Sequence, residues 1–294
     1  MGGTMSEPPQ ITATVAAFAR IAQTLDTLRR LEACRPPPAE IIVHVDAARH
    51  DCADAVRAAF PAARVIVSET SVGPGGGRNR MTAAARHELV AAFDDDSYPM
   101  DADFFARAGE IFARFPDLSL ATSQIVHPGE APAPDRRALR ETSGFNGGGV
   151  VFRHSHLLEA GGYLPLPLAY GVEEEDMALR LIERGRRLVF TPYLRVFHNS
   201  DLAHHAEPRI NAASIANIAL LAFLRYPPRF YPLAALQIAN RVVFCLQMGR
   251  RRGVVAGLAM IPHHLWRMRA HRRLVSKAAV AAKLALRKGG WSDF

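Results

Sequence analysis

Between residues 11 and 126 the chain alternates short apolar runs with amphipathic stretches at a nearly constant interval, and this alternation most narrows the folds open to it. Residues 41–45, Ile-Ile-Val-His-Val, form an almost unbroken apolar run, as a strand buried on both faces does. Similar runs fill 11–17, 64–67 and 89–93, and helical patterns fill 21–33, 54–60, 73–87 and 103–115. Strands separated by helices at this spacing predict a parallel sheet with βαβ connections. The run Arg35-Pro36-Pro37-Pro38 closes the first helix, because proline cannot continue one.

Further along, the Pro-rich, polar stretch 127–142 reads as a mobile loop able to close over a ligand. Residues 145–152 read as a strand, 174–184 as a helix closed by Gly185, and 188–190 and 194–197 as two strand-like pieces. Beyond 206 the pattern becomes helical, with breaks expected near Pro227-Pro228 and Pro262. The expected division is a short disordered N-terminus (1–10), an α/β body (11–205) and a C-terminal helical region (206–294).

Charge follows the same division. Of 36 Lys+Arg and 28 Asp+Glu, residues 206–294 hold 15 and 2, leaving 21 and 26 for residues 1–205. A slightly acidic body therefore carries a strongly basic tail. With 49% hydrophobic and 22% charged residues, the chain is not a disordered or fibrous one. Cys34, Cys52 and Cys245 form no CxxC pair, so a reducing compartment is expected, without a disulfide framework. Residues 1–10 lack an apolar signal core, and the longest apolar run, 215–224, is about half what a bilayer needs. The expected location is cytoplasmic, with peripheral attachment to the inner face of the plasma membrane.

Asp94, Asp95 and Asp96 directly follow the apolar run 89–93. Ligands of open α/β sheets bind beyond the carboxyl ends of the strands. Alternate residues of an extended segment point the same way, so Asp94 and Asp96 can address one divalent cation, magnesium or manganese for hard oxygen donors. A solvated acidic turn is the competing reading. Asp46 ends another strand, where it suits a nucleotide base or ribose or caps a turn. Residues 73–77, Gly-Pro-Gly-Gly-Gly, put a flexible loop and the Arg78 guanidinium at a helix start, suited to a phosphate; no Walker motif follows. The second acidic run, Glu173-Glu174-Glu175-Asp176, exceeds what helix capping needs and offers a general base at a loop-to-helix entry. His198 closes a further strand and can complete a metal site, with His204 and His205 as competitors.

Taken in order, Asp46, the 73–79 segment, the Asp94–Asp96 triplet, Gly144-Phe145-Asn146-Gly147-Gly148-Gly149, Gly161-Gly162-Tyr163, the 173–180 helix and His198 resemble the family 2 glycosyltransferases of the GT-A fold. The resemblance implies a Rossmann-like mixed, mainly parallel sheet with helices on both faces, here followed by the basic helical extension. It also implies an inverting transfer from a nucleotide-sugar donor held by a divalent metal to a hydroxyl acceptor, such as an envelope polysaccharide or glycolipid. Carried over by position, Asp46, Arg78, Asn79, Asp94 and Asp95 contact the nucleotide, and Asp96, Asp94 and His198 hold the metal. The base falls on Glu174, six residues before Arg180, with Asp176 as alternative and Glu173 beside it. Two departures stand out: the first strand lacks the Pro-Thr-Tyr-Asn-like signature, and Ala47-Ala48-Arg49 replaces Asp-Gly-Ser after Asp46.

In the tail, Arg269, Arg272, Arg273, Lys277, Lys283 and Arg287 fall on one face of a helix drawn through 263–288, which suits an anionic membrane surface. A surface helix packed on the body is the alternative; few aromatics among the arginines argue against nucleic acid. Two rival functions remain open. A nucleotidyltransferase acting on sugar phosphates would carry a Gly-rich basic loop after the first strand, and residues 13–20 have none. A non-catalytic nucleotide-sugar scaffold would not need the intact acidic clusters.

Overall fold

The computed structural model describes residues 10–166, 172–200, 207–286 and 290–294. His204, His205 and Arg287 lie outside them, as do residues 1–9. The elements run β1 (Ile11–Ala17), α1 (Ile21–Ala33), β2 (Glu40–Val45), α2 (His50–Ala59), β3 (Arg64–Val67), α3 (Gly73–Ala84), β4 (Leu89–Asp94), β5 (Ser97–Pro99), α4 (Phe104–Arg114), β6 (Leu118–Val126), β7 (Ala138–Glu141), β8 (Gly149–Arg153), α5 (His154–Glu159), α6 (Glu173–Glu183) and β9 (Arg187–His198). There follow α7 (Pro208–Arg225), α8 (Tyr231–Gln247), α9 (Val254–Met268), α10 (Lys277–Ala285) and β10 (Ser292–Asp293).

The strands form one mixed sheet in the order β10-β7-β9-β6-β8-β4-β1-β2-β3, with β5 paired to β9. Strands β3, β2, β1 and β4 are parallel, as the alternating pattern predicts, and β8 is antiparallel to both β4 and β6. The period of two along each strand divides the core. From β4, Ala91 and Phe93 join Leu28, Val56, Phe104 and Ile111 on one face; Val90 and Ala92 join Met81, Leu157, Met177 and Leu181 on the other. Helices thus cover both faces, which a parallel sheet requires.

The 127–142 stretch is not a free loop: residues 138–141 are β7, hydrogen-bonded between β9 and β10. The two strand-like pieces at 188–197 are one strand, β9, whose pairing with β6 skips residues 192–194. That irregularity carries the strand's end out to His198, opposite Ser97 of β5.

Residues beyond 206 do not stand apart from the body. Helix α7 is buried on most sides, and α9 reaches it through Gly257, where a Cβ would lie 2.8 Å from the Ala212 carbonyl oxygen. The chain end returns to the sheet as β10, and Phe294 packs edge-on against Phe115 and Tyr193. Pro262 does not break the helix; it lies inside α9 on the exposed side, near Leu258, whose freed carbonyl water can reach.

Nor is 263–288 one helix. Helix α9 ends at Met268, and a 3-10 turn (Arg269–His271) and an extended stretch precede α10. The break carries no Gly or Pro. The backbone N–H groups of Arg273 and Val275 donate instead to the carbonyls of Leu224 and Arg225, at 3.0 and 2.9 Å, so α7 pulls the segment out of helix. The expected single basic face is therefore divided. Arg272 donates to the Phe223 carbonyl at 3.1 Å, and Lys283 is buried, bound to the Ser143 carbonyl and to Glu175.

Candidate active site

Parallel register sets the site. Ala17 pairs with Val45, and Ala16 with Asp94, so β1, β2 and β4 end together on one edge. Arg20, Asp46 and the three aspartates follow from that edge within a few residues. Two bonded networks grow there, one on each side of the triplet.

The first joins Arg20, Asp95, Asp96 and His198. Arg20 donates to Asp95 through its Nε, at 3.2 Å, and through Nη2, and to Asp96 Oδ2 at 2.5 Å through Nη1. His198 Nε2 lies 3.2 Å from Asp96 Oδ1, and the Asn199 N–H donates to the Asp96 carbonyl at 2.8 Å. Burial pushes the Asp95 carboxyl up to about 6, although Arg20 opposes it. Burial also works against the charges of Asp96 and His198. There the pairing prevails, holding Asp96 below the usual carboxylate range and His198 above the usual imidazole range.

The second joins Arg78, Asp94 and Glu174, with the buried Glu173 next to Glu174. The buried Arg78 guanidinium donates to Asp94 at 2.6 Å and to Glu174 at 3.4 Å. Gly147 and Gly148 leave the room for this: a Cβ on Gly147 would fall 2.6 Å from both the Arg78 guanidinium carbon and Glu174 Oε1, and one on Gly148 2.4 Å from Asp94 Oδ2. Burial raises the carboxyl pKa of both Glu173 and Glu174; their mutual repulsion lifts Glu173 further, and Arg78 restrains Glu174. A carboxylate made more basic by burial yet still paired with a cation suits proton abstraction near neutral pH.

The other candidates are bonded within the fold. Both Asp46 oxygens are engaged by the 71–73 segment: Ser71 Oγ at 2.8 Å and the N–H groups of Val72 and Gly73 at 2.9 and 3.1 Å. Ala47 and Ala48 turn the chain after it with φ of +54° and +52°, a conformation that favours glycine. Residues 73–77 are the first turns of α3 rather than a loop, and Gly77 is there for packing, since its Cβ would meet the His44 ring at 2.4 Å. Asn79 pins the Gly162-Tyr163 turn, accepting from the Tyr163 N–H at 2.6 Å and donating to its carbonyl at 2.8 Å. Glu175 turns to Lys283 at 2.6 Å. Asp176 is fully buried between Arg180 and Arg225, at 2.7 and 2.5 Å.

Sequence reasoning missed Arg20 and His127. Arg20 had a usable signal, a cation three residues beyond a strand that ends beside the triplet. His127 follows β6, and its ring lies 5.4 Å from that of His198. Among the described residues no group of three or more His, Cys, Asp or Glu is placed to hold a cation, and Asp94 is bonded to Arg78.

A family model described as "Glycosyltransferase like family 2" matches residues 8–128, a span that includes Asp46, Arg78 and the triplet but not Glu174 or His198. A comparison with curated proteins gives no match. Among solved structures, Staphylococcus aureus TarS 1–349 in complex with UDP-GlcNAc superposes with a TM-score of 0.61 at 15% identity, over 94% of this chain and 88% of that one. The mannosyltransferase PcManGT of Pyrobaculum calidifontis, in complex with GDP-Man and Mn2+, gives 0.60 at 18% identity over 96% and 82%. GalNAc-T7 with UDP, GalNAc and Mn2+ gives 0.61 at 13% identity over 76% of this chain, which spans only 49% of that protein. At these identities the likeness establishes the shared fold. Residues 8–128 thus match a family 2-like glycosyltransferase domain, and the chain shares the fold of these glycosyltransferase structures.

Proposed function

We propose that the protein transfers a sugar from a nucleoside-diphosphate donor to a hydroxyl acceptor with inversion at the anomeric carbon. The observation that carries this reading is the placement of Glu174 beside the strand-end triplet. Arg78 bonds both Asp94 and Glu174, so a basic carboxylate faces the edge where a nucleotide would lie. The UDP and GDP-sugar ligands of the superposed proteins support the donor class.

A divalent metal suits the donor types present, although Asp94 and Asp96 are turned to Arg78, Arg20 and His198. His198 Nδ1 is buried without a hydrogen-bond partner, Asp96 Oδ1 is paired with His198 Nε2 at 3.2 Å, and Asp94 is a quarter exposed. Carboxylate oxygens with one imidazole suit manganese or magnesium, so Asp96, Asp94 and His198 would hold the ion. Bound there, it would act as a Lewis acid and offset charge on the leaving diphosphate.

The chain's own groups supply the rest. Arg20, half-exposed at the same edge, is positioned to exchange its bonds with Asp95 and Asp96 for a donor phosphate. Burial raises the Glu174 carboxyl, and the Arg78 guanidinium beside it opposes that shift. Glu174 then takes the acceptor hydroxyl proton as that oxygen forms its bond to the anomeric carbon. The bond to the diphosphate breaks on the opposite face, and the proton stays on Glu174. General-base help of this kind is worth about 10²–10⁴ in rate. Asp176, enclosed by two arginines, is the weaker candidate for that role. An acceptor on an envelope glycan or glycolipid suits the strongly basic C-terminal region.

The test is nucleotide release from a panel of nucleotide-sugars with manganese present. One donor class should release nucleoside diphosphate, and excess chelator should stop it. Release of pyrophosphate from a nucleoside triphosphate plus sugar phosphate would indicate a nucleotidyltransferase. Donor binding without turnover for any acceptor would indicate a scaffold.

A further inference from the structure

Helices α8 and α9 lie over α7, joined through residues 248–253. Their inner faces are apolar as expected: Ala234 and Cys245 of α8 and Val254 and Met268 of α9 are buried. Their outer faces are apolar as well. Leu236, Val243, Phe244 and Leu246 on α8, Met248 in the connection, and Val255, Leu258 and Trp266 on α9 are all exposed, Val255 at 79% and Trp266 at 61%. A helix on a protein surface ordinarily shows one apolar stripe toward the core and a polar face to water. Here a second apolar surface has no covering element among the described residues.

The helices of this surface are cationic, and Glu207 is the acidic residue next to their connection, through Pro208. From 208 to 292 the sequence contains no Asp or Glu, while Arg250, Arg251 and Arg252 occupy the hairpin connection and Arg267 and Arg269 flank Trp266. Arg241 and Arg250 lie over the Phe244 ring at 5.0 and 5.8 Å, and Arg269 over Trp266 at 4.3 Å. No described helix is long and apolar enough to cross a membrane. An exposed apolar face that cannot span, with an aromatic ring and a cationic rim, is the composition of an element that lies in a bilayer interface.

We propose that the α8–α9 hairpin docks the protein on an anionic lipid surface, inserting Val243, Phe244, Met248 and Val255 while Arg250, Arg251 and Arg252 meet the headgroups. This replaces the divided 263–288 segment as the membrane element. A second copy of the chain fits the surface less well, since a two-fold contact would set each arginine cluster near its like-charged equivalent. The proposal does not depend on the transfer reaction.

The test is cosedimentation of the full chain with phosphatidylcholine vesicles, with and without phosphatidylglycerol, at low and high salt. Binding should require the anionic lipid and weaken as salt rises. Replacing Arg250, Arg251 and Arg252 together by Ser should weaken it by about 10²-fold, given the usual contribution of a cation near a charged leaflet. Met248→Ser with Val255→Ser should weaken it by at least about tenfold, while Arg273→Ser with Lys277→Ser should change it little. Circular-dichroism melts confirm that each variant is folded, and manganese–nucleotide affinity, measured without vesicles, should match wild type in all of them. Equal binding to neutral and anionic vesicles, or wild-type binding by the hairpin variants, would overturn the proposal. So would a dimer in light scattering that Val255→Ser dissolves while no vesicle binding is seen.

Discussion

The two acidic runs look alike in sequence and do different work in the fold. Asp94, Asp95 and Asp96 leave a strand, so all three remain at the sheet edge and are divided only between Arg78 on one side and Arg20 with His198 on the other. Glu173 to Asp176 open a helix, where each residue turns by about 100° from the last. Glu174 therefore turns to Arg78 at the site, while Glu175 and Asp176 turn to Lys283 and Arg225 of the C-terminal segments. A run of carboxylates is thus a cluster on a strand and a divider on a helix. The second run connects the cleft to the chain's end, because Arg225 also donates to the carbonyls of His271 and Arg273.

Breaking the inward half of that division should produce the largest loss of stability. Asp176→Ala leaves Arg180 and Arg225 buried without their carboxylate, a change that costs about 3–5 kcal/mol. Thermal melts should show a drop of several degrees or more; an unchanged melt would mean that Asp176 ties nothing together. Next in size is Asp96→Ala. Manganese affinity in calorimetry should fall by more than about tenfold, since even residues that merely support metal ligands cost that much. Retained affinity would move the ion elsewhere in the cleft.

A smaller effect concerns pH. Burial raises the Glu173 carboxyl, so the folded state keeps a proton that the unfolded chain releases in the ordinary carboxylate range. Stability from this group must then fall as pH rises through and above that range, until the folded state also ionises. Glu173→Gln should flatten the decline in denaturant melts taken across this interval. A slope identical to wild type would show that Glu173 is not held protonated. Smallest is Ala48→Gly, which relieves a left-handed alanine in the turn after Asp46 and should raise stability by about 1 kcal/mol or less.

Much of this was legible in the sequence where the physics is local. The parallel strands β1 to β4 appear as near-continuous apolar runs because both their faces are covered. Strand β6 was missed because Ser119, Thr122, Ser123 and Gln124 interrupt its apolar pattern, and β7 because two of its four residues, Arg140 and Glu141, are charged. The helical period through 263–288 misled because the break at 269–276 is imposed by α7, not by any local breaker. At the candidate site, the triplet, the 173–176 run and His198 stand out in the sequence as acidic runs and a histidine at strand and helix ends. The roles of Asp46, Asn79 and Asp176 as scaffold ties, and of Arg20 as a counter-charge, depend on partners distant in sequence.

The central claim is that Glu174 faces the reaction while Asp176 faces the scaffold. Its most direct test measures turnover and donor affinity side by side for Glu174→Gln and Asp176→Asn, at a temperature where both are folded. Glu174→Gln should bind manganese and donor as wild type does yet turn over about 10²-fold or more slowly. Asp176→Asn should keep near-normal turnover and melt earlier. An inactive but folded Asp176→Asn beside a fully active Glu174→Gln would contradict the account.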